Sequence, residues 1–189
     1  MRRFFSTSMI GLALALSGCA TYTTDECASG DWNKIGLQDG RDGHTADRFN
    51  RHGKACSLDR SEKSRALYMA GRNKGLALYC TAERGYREAA LGQKYYGVCP
   101  PETARLFSTG FQLGGRIHQV ETQISAANDA YFEVSKKLEN SALPEAQRSA
   151  VQREQARLQS EETRLRAELA QLTERADAMV RASRAKKKE

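Results

Sequence analysis

Residues 101–138 read PETARLFSTGFQLGGRIHQVETQISAANDAYFEVSKKL. Within them Leu106, Gly110, Leu113, Ile117, Val120, Ile124, Ala127, Tyr131, Val134 and Leu138 follow at spacings that alternate four and three. That alternation is a heptad seam, the apolar stripe by which one helix lies along another. Pro101 suits a first helical turn, where its missing N–H is no loss. Asn140-Ser141-Ala142-Leu143-Pro144 is a break, and Pro144 can open a second helix. Beyond it Val151, Gln155, Leu158, Glu162, Leu165, Leu169, Leu172, Ala176 and Met179 keep the same alternation. Helices of this length joined by a short turn fold back as an antiparallel hairpin about 55 Å long. A dimer would use the same heptads, so the pattern leaves open whether the seam closes within one chain or between two. Gln155 and Glu162 thin the apolar stripe; polar residues there set register or mark where a partner enters.

Upstream, only three prolines and an abundance of helix-forming residues, with no long alternating β-branched run, predict an all-α protein. Asp31 suits the N-cap of a helix carrying Trp32 and Ile35 that stops over Gly40 to Gly43. A short segment from Thr45 to His52 follows, with Gly53 as its stop. Asp59 with Glu62 resembles a capping box and opens a helix over Arg60 to Ala82. Gly85 and Gly92 punctuate a turn region that closes at Cys99-Pro100-Pro101.

A weak repeat runs through this region, an aromatic residue followed by two glycines four apart: Trp32, Gly36, Gly40; then Tyr68, Gly71, Gly75; then Phe107, Gly110, Gly114. Paired glycines make a flat helix face that another backbone can approach. Each costs about 1 kcal/mol of helix propensity against alanine, so the face must return something. Tight packing among the three helices is the structural reading, and a ligand or partner groove the functional one.

The N-terminal end is of another kind. Arg2 and Arg3 precede an apolar run that ends in Leu16-Ser17-Gly18-Cys19, the layout of a cleaved signal peptide. Its uninterrupted core, Met9 to Leu16, is too short to span a bilayer. The tetrapeptide resembles the lipobox of bacterial lipoproteins, which implies acyl chains on Cys19 and attachment to a membrane. Ala20, in place of an aspartate, implies by the same resemblance the outer membrane on its periplasmic side. Residues 20 to 30 have no apolar period and read as a tether.

Four further cysteines, Cys27, Cys56, Cys80 and Cys99, form an even set in an exported chain, which reads as two disulfides. Of three connectivities we favour Cys27 with Cys56 and Cys80 with Cys99, since sequential closure needs no crossing. A zinc site is the rival, and the absence of any C-x-x-C pair speaks against it.

Asp31-Trp32, Gly36, Asp39-Gly40, Tyr68, Gly71, Gly75-Leu76, Tyr79-Cys80, Gly85-Tyr86, Gly92, Tyr95 and Val98-Cys99-Pro100 together resemble the small Gram-negative lipoproteins of domain of unknown function 2799. The likeness covers about residues 27 to 115. It implies an envelope location and the cysteine staples, and carries no activity or catalytic residue with it.

The expected organisation is a signal peptide over 1–18, a lipidated tether over 19–30, a Gly- and Cys-rich helical head over 31–101 and a helical hairpin over 102–189. No catalytic constellation is expected. His44, His52 and one of Asp42 or Asp47 form a conceivable metal or acid–base group, but their spacing fits no H-E-x-x-H motif. His118 reads as a flanking surface residue. No cofactor is expected beyond the covalent lipid. The chain, at formal charge +7, ends in Arg181, Arg184 and Lys186-Lys187-Lys188, a basic segment suited to an anionic surface or to a solvated tail. The first functional expectation is a non-enzymatic lipoprotein that binds a periplasmic or outer-membrane protein, or its own copy through the seam, with no nucleic acid partner. The second is a module for an anionic envelope glycan or small ligand, held on the glycine-lined faces or the basic tail.

Overall fold

The computed structural model describes residues 30–186. The expected signal segment, Cys19 and Cys27 lie outside them. The described residues are all-helical, with α1 over Trp32–Arg41, α2 over Arg48–Ala55, α3 over Glu62–Tyr79, α4 over Ala82–Ala90, α5 over Pro101–Leu138 and α6 over Glu145–Lys186. No helix among them is long and apolar enough to cross a membrane.

The start of α1 is as expected: the Asp31 carboxylate accepts from the backbone N–H groups of Asn33 (2.9 Å) and Lys34 (3.1 Å). The expected helix over Arg60 to Ala82 is shorter at both ends. Its N-cap is Ser61, whose hydroxyl accepts from Ser64 N. The Asp59 carboxylate sits behind the cap, accepting from the Ser61 and Ser64 hydroxyls, both at 2.6 Å. Ser61→Ala is therefore expected to cost about 1 kcal/mol, the usual worth of an N-cap, in a urea titration. An unchanged midpoint would mean that Asp59 caps the helix by itself.

The helix stops at Tyr79 because Thr81 begins another, its hydroxyl accepting from Arg84 N at 3.1 Å. The region expected as turn around Gly85 is thus α4. The legible signal was Thr81 with Glu83 in the first turn, which is N-cap chemistry. The segment expected to stop at Gly53 runs on to Ala55.

The glycines show why the chain folds this way. A Cβ on Gly36 would lie 2.0 Å from Tyr68 O, on Gly40 2.2 Å from Arg72 O, on Gly71 2.0 Å from Asn33 O and on Gly75 2.3 Å from Leu37 O. No side chain fits at such distances, so α1 and α3 pack backbone to backbone. The partner position rises with the glycine position, so the two helices run parallel. The same arrangement recurs: Cβ atoms on Gly85, Gly110 and Gly114 would meet Phe107 O, Ala82 O and Tyr86 O at 2.2, 1.9 and 2.1 Å. Hence α4 and the start of α5 form a second parallel pair. The three expected repeats are members of two such pairs, and the fourth member, α4, has Gly85 and Ala89 in place of two glycines.

The ends of α1 and α4 also match. His44 N donates to Asp39 O and Gly43 N to Gly40 O; Gln93 N donates to Glu88 O and Gly92 N to Ala89 O. Both are Schellman closures, which need a left-handed residue, and Gly43 and Gly92 each have φ 70°. The head is one parallel-pair unit built twice. The first unit crosses over through α2 and the second through the strap 91–100. That strap is held by the Cys80–Cys99 disulfide, Cα atoms 5.6 Å apart, and by Tyr95, which packs on Phe107 at 4.5 Å between ring centroids. In the loop-entropy account, closing 19 residues contributes about 3 kcal/mol. Cys56 is disulfide-bonded as well; its expected partner Cys27 lies outside the described residues.

Three hydrophobic clusters follow one another along the molecule. Trp32, Ile35, Phe49 and Tyr68 fill the first unit. Leu76, Tyr79, Cys80, Cys99 and Phe107 join the units. Ile117, Val120, Ile124, Leu165, Leu172 and Ala176 form the hairpin seam. The seam closes within the chain and follows the expected heptads, with one exception: Leu106 is 54% exposed while Phe107 is fully buried. The first turns of α5 face the head, so the stripe is rotated there by a residue. At the far end Arg148 donates to Leu138 O and Asn140 O, at 3.1 and 3.0 Å, and ties the turn shut. Gln155 donates to the Ser135 hydroxyl at 3.0 Å, and Glu162 pairs with Arg166. Both polar seam residues thus have partners inside the hairpin.

Candidate functional site

The buried side chains that could carry chemistry meet inside the first head unit. Asp39 lies on the buried stripe of α1 with Trp32, Ile35, Gly36 and Gly40. A carboxylate on that stripe must be paired, because burying a lone charge is costly. Three partners from two other helices converge on it. His52 Nε2 lies 2.9 Å from Oδ2, the Tyr68 hydroxyl donates to Oδ2 at 2.7 Å, and Arg48 Nε lies 3.0 Å from Oδ1. Carboxylate oxygens only accept, so Nε2 of His52 carries the proton. Burial alone would raise the Asp39 carboxyl, but the bonds from His52 and Tyr68 and the nearby cations more than offset it and hold it below its ordinary value. Burial first, then Asp39, pushes the Tyr68 phenol far up, so it stays a donor. His52 is 0% and Asp39 2% exposed. A substrate cannot reach them, and the cluster is a clamp between α1, α2 and α3.

The conceivable site of His44, His52 and Asp42 or Asp47 is not assembled. His52 turns inward to Asp39, whereas Asp47 pairs with Arg51 at the surface. Among the described residues, no group of three or more His, Cys, Asp or Glu side chains could hold a metal ion. His118 is exposed, as expected, and its ring lies 3.2 Å from Ala90 O against the end of α4.

The glycine face also resolves. Trp32, Gly36, Gly40, Tyr68, Gly71 and Gly75 are all buried, and each glycine abuts the backbone of the opposite helix. The face is used up in packing, and no ligand groove remains on it.

What does remain open is a cleft of about 720 Å³ between the matching ends of α1 and α4. From the first unit Asp42, Gly43, His44, Thr45, Arg48 and Arg51 line it, and from the second Glu88, Gly92, Gln93, Lys94 and Tyr96, with Tyr79 between. The Arg72 guanidinium fixes one wall by donating twice to His44 O, at 3.1 and 2.8 Å. The other wall is the strap pinned by the disulfide. Burial and then the Arg48 charge hold His44 below the usual histidine range; burial and then Glu88 raise the Tyr79 phenol to about 12. Composition did not reveal this cleft, since its walls lie some fifty residues apart. The two Schellman glycines were its only local signal.

Residues 31–116 match the model of a family described as Protein of unknown function (DUF2799). The match takes in both glycine-packed pairs and ends just after Gly114 and Gly115, where the hairpin leaves the head. No curated protein and no solved structure matches the chain.

Proposed function

We propose that this chain, whose head is a domain of unknown function 2799, is an outer-membrane lipoprotein that works without catalysis, presenting a stiff arm to another protein of the envelope. The observation that carries this reading is the continuity of α5. One 38-residue helix packs on α4 at its start and on α6 further along, so arm and head form one lever with no hinge between them. Past the head, the hairpin shares a narrow seam in which Val120, Ile124, Ala127, Leu158 and Leu165 are each below a tenth exposed. Such a narrow hairpin suits reach and contact. The signal layout before Cys19 supports the anchored end of the reading, and the buried, inaccessible His52 supports the absence of catalysis.

The test has two readouts in growing cells. Labelled fatty acid should enter the protein and be lost in Cys19→Ser. A photo-crosslinking residue in place of Phe132, 70% exposed on the arm, should give one dominant heavier species, and the same residue in place of Asn50 on the head should not. Adducts only with the chain itself would replace the foreign partner by a dimer. Equal adducts from both positions, or none, would remove the arm from the proposal.

A further inference from the structure

The cleft between the two head units has features that the arm reading does not use. Its cations come from opposite walls, Arg51 and the Asp39-paired Arg48 from α2 and Lys94 from the strap. Its carboxylates are already engaged with neighbours: Glu88 with Arg84 at 2.8 Å and Asp42 with the Gln38 amide at 2.8 Å. Arg51 pairs with Asp47 through one nitrogen, and a guanidinium has five N–H donors. Lys94 has no carboxylate within ion-pair distance among the described residues. The lining as a whole sets three cations, Arg48, Arg51 and Lys94, against two carboxylates, Asp42 and Glu88, an excess of one positive charge.

The remaining lining adds a second requirement. Thr45 and Gln93 offer hydroxyl and amide groups, and the engaged carboxylates retain lone pairs, a set that suits neighbouring hydroxyls. Tyr96 is 66% exposed at the mouth, an amphipathic ring of the kind that covers an apolar face while its hydroxyl stays wet. Polar hydrogen-bonding walls, an open aromatic and cations on two sides suit a ring that carries hydroxyls and one acid group. The volume lies within the usual range of small-ligand sites.

We propose that this cleft binds an acidic saccharide unit, its carboxylate held between Arg51 and Lys94 and its ring laid against Tyr96. The site needs both head units, because each supplies one of these two cations. It also needs the Cys80–Cys99 disulfide, because that bond pins the wall bearing Lys94 and Tyr96. It is independent of the arm and of what the arm contacts.

The experiment is ligand-observed saturation-transfer NMR on the full chain in detergent, with glucuronate as probe and with glucose and acetate as controls. Glucuronate should receive saturation on its ring protons, and glucose and acetate should bind at least about tenfold more weakly. Arg51→Ala with Lys94→Ala, and separately Tyr96→Ala, should each weaken glucuronate by about tenfold or more. These are surface positions, so unchanged melting should accompany the loss. Opening the disulfide with a reductant should weaken binding as well. No saturation of glucuronate, or equal binding of acetate or glucose, overturns the proposal. Binding that survives the double substitution overturns it too.

Discussion

Asp39→Ala is expected to destabilise the protein by about 3–5 kcal/mol, the usual cost of removing one partner from a buried charged cluster. The carboxylate is the acceptor that His52, Tyr68 and Arg48 share, so its loss is felt on three helices at once. Asp39→Asn keeps the shape and one acceptor oxygen but not the charge, and should fall between the variant and the parent. Urea unfolding followed by circular dichroism reads the difference. Stability should also depend on acid. The folded Asp39 titrates below its ordinary value, near 3.8, so its contribution is present above that value and is lost as pH falls through the lowered folded one. Asp39→Ala should therefore flatten the acid limb of the stability curve. A loss below about 1 kcal/mol, the net worth of one ordinary hydrogen bond, would show that the cluster is not a clamp.

Gly114→Ala and Gly115→Ala should have opposite signs although the residues adjoin in one helix. A Cβ on Gly114 would sit 2.1 Å from Tyr86 O, so α4 and α5 must separate to admit it. Overpacking of this kind costs about 1–3 kcal/mol and sometimes more, and the obstacle here is backbone, which cannot rotate away. With a backbone obstacle the cost belongs at the upper end of that range, so the expected net loss is about 2 kcal/mol after the helix-propensity gain of about 1 kcal/mol. A Cβ on Gly115 meets only the Ala89 Cβ at 4.0 Å. Only the propensity gain acts there, so Gly115→Ala should be neutral or more stable by up to about 1 kcal/mol. Thermal melting should show shifts of about 2–4 °C per kcal/mol in opposite directions. Two variants that both melt higher would mean that the helices do not approach as closely as described.

Much of the architecture was legible because it is local. The heptads after Gly110 place Ile117, Val120, Ile124 and Ala127 on one face whatever lies opposite, since the helical repeat alone decides it. Asp31 caps α1 through N–H groups two and three residues away. The two units are half legible: three aromatic-glycine runs point to close packing, but the fourth, around Gly85, lacks the aromatic, and its glycines look like turn punctuation. The exposure of Leu106 could not be read either, since an unbroken 4-3 pattern carries no mark of where one packing partner gives way to another. Asp39 was visible only as a carboxylate at the next position on an apolar stripe.

The two long helices, the Asp31 cap and the seam were thus determined by the sequence itself, because each depends on residues within a turn or two of one another. The pairing of α1 with α3 and α4 with α5, the clamp around Asp39, the closure of the seam within one chain and the cleft walled by Arg51 and Lys94 were decided only by tertiary structure. Each joins groups far apart in the chain, and such contacts are chosen by which backbones can approach most closely and which buried charges find partners, conditions that no local pattern records.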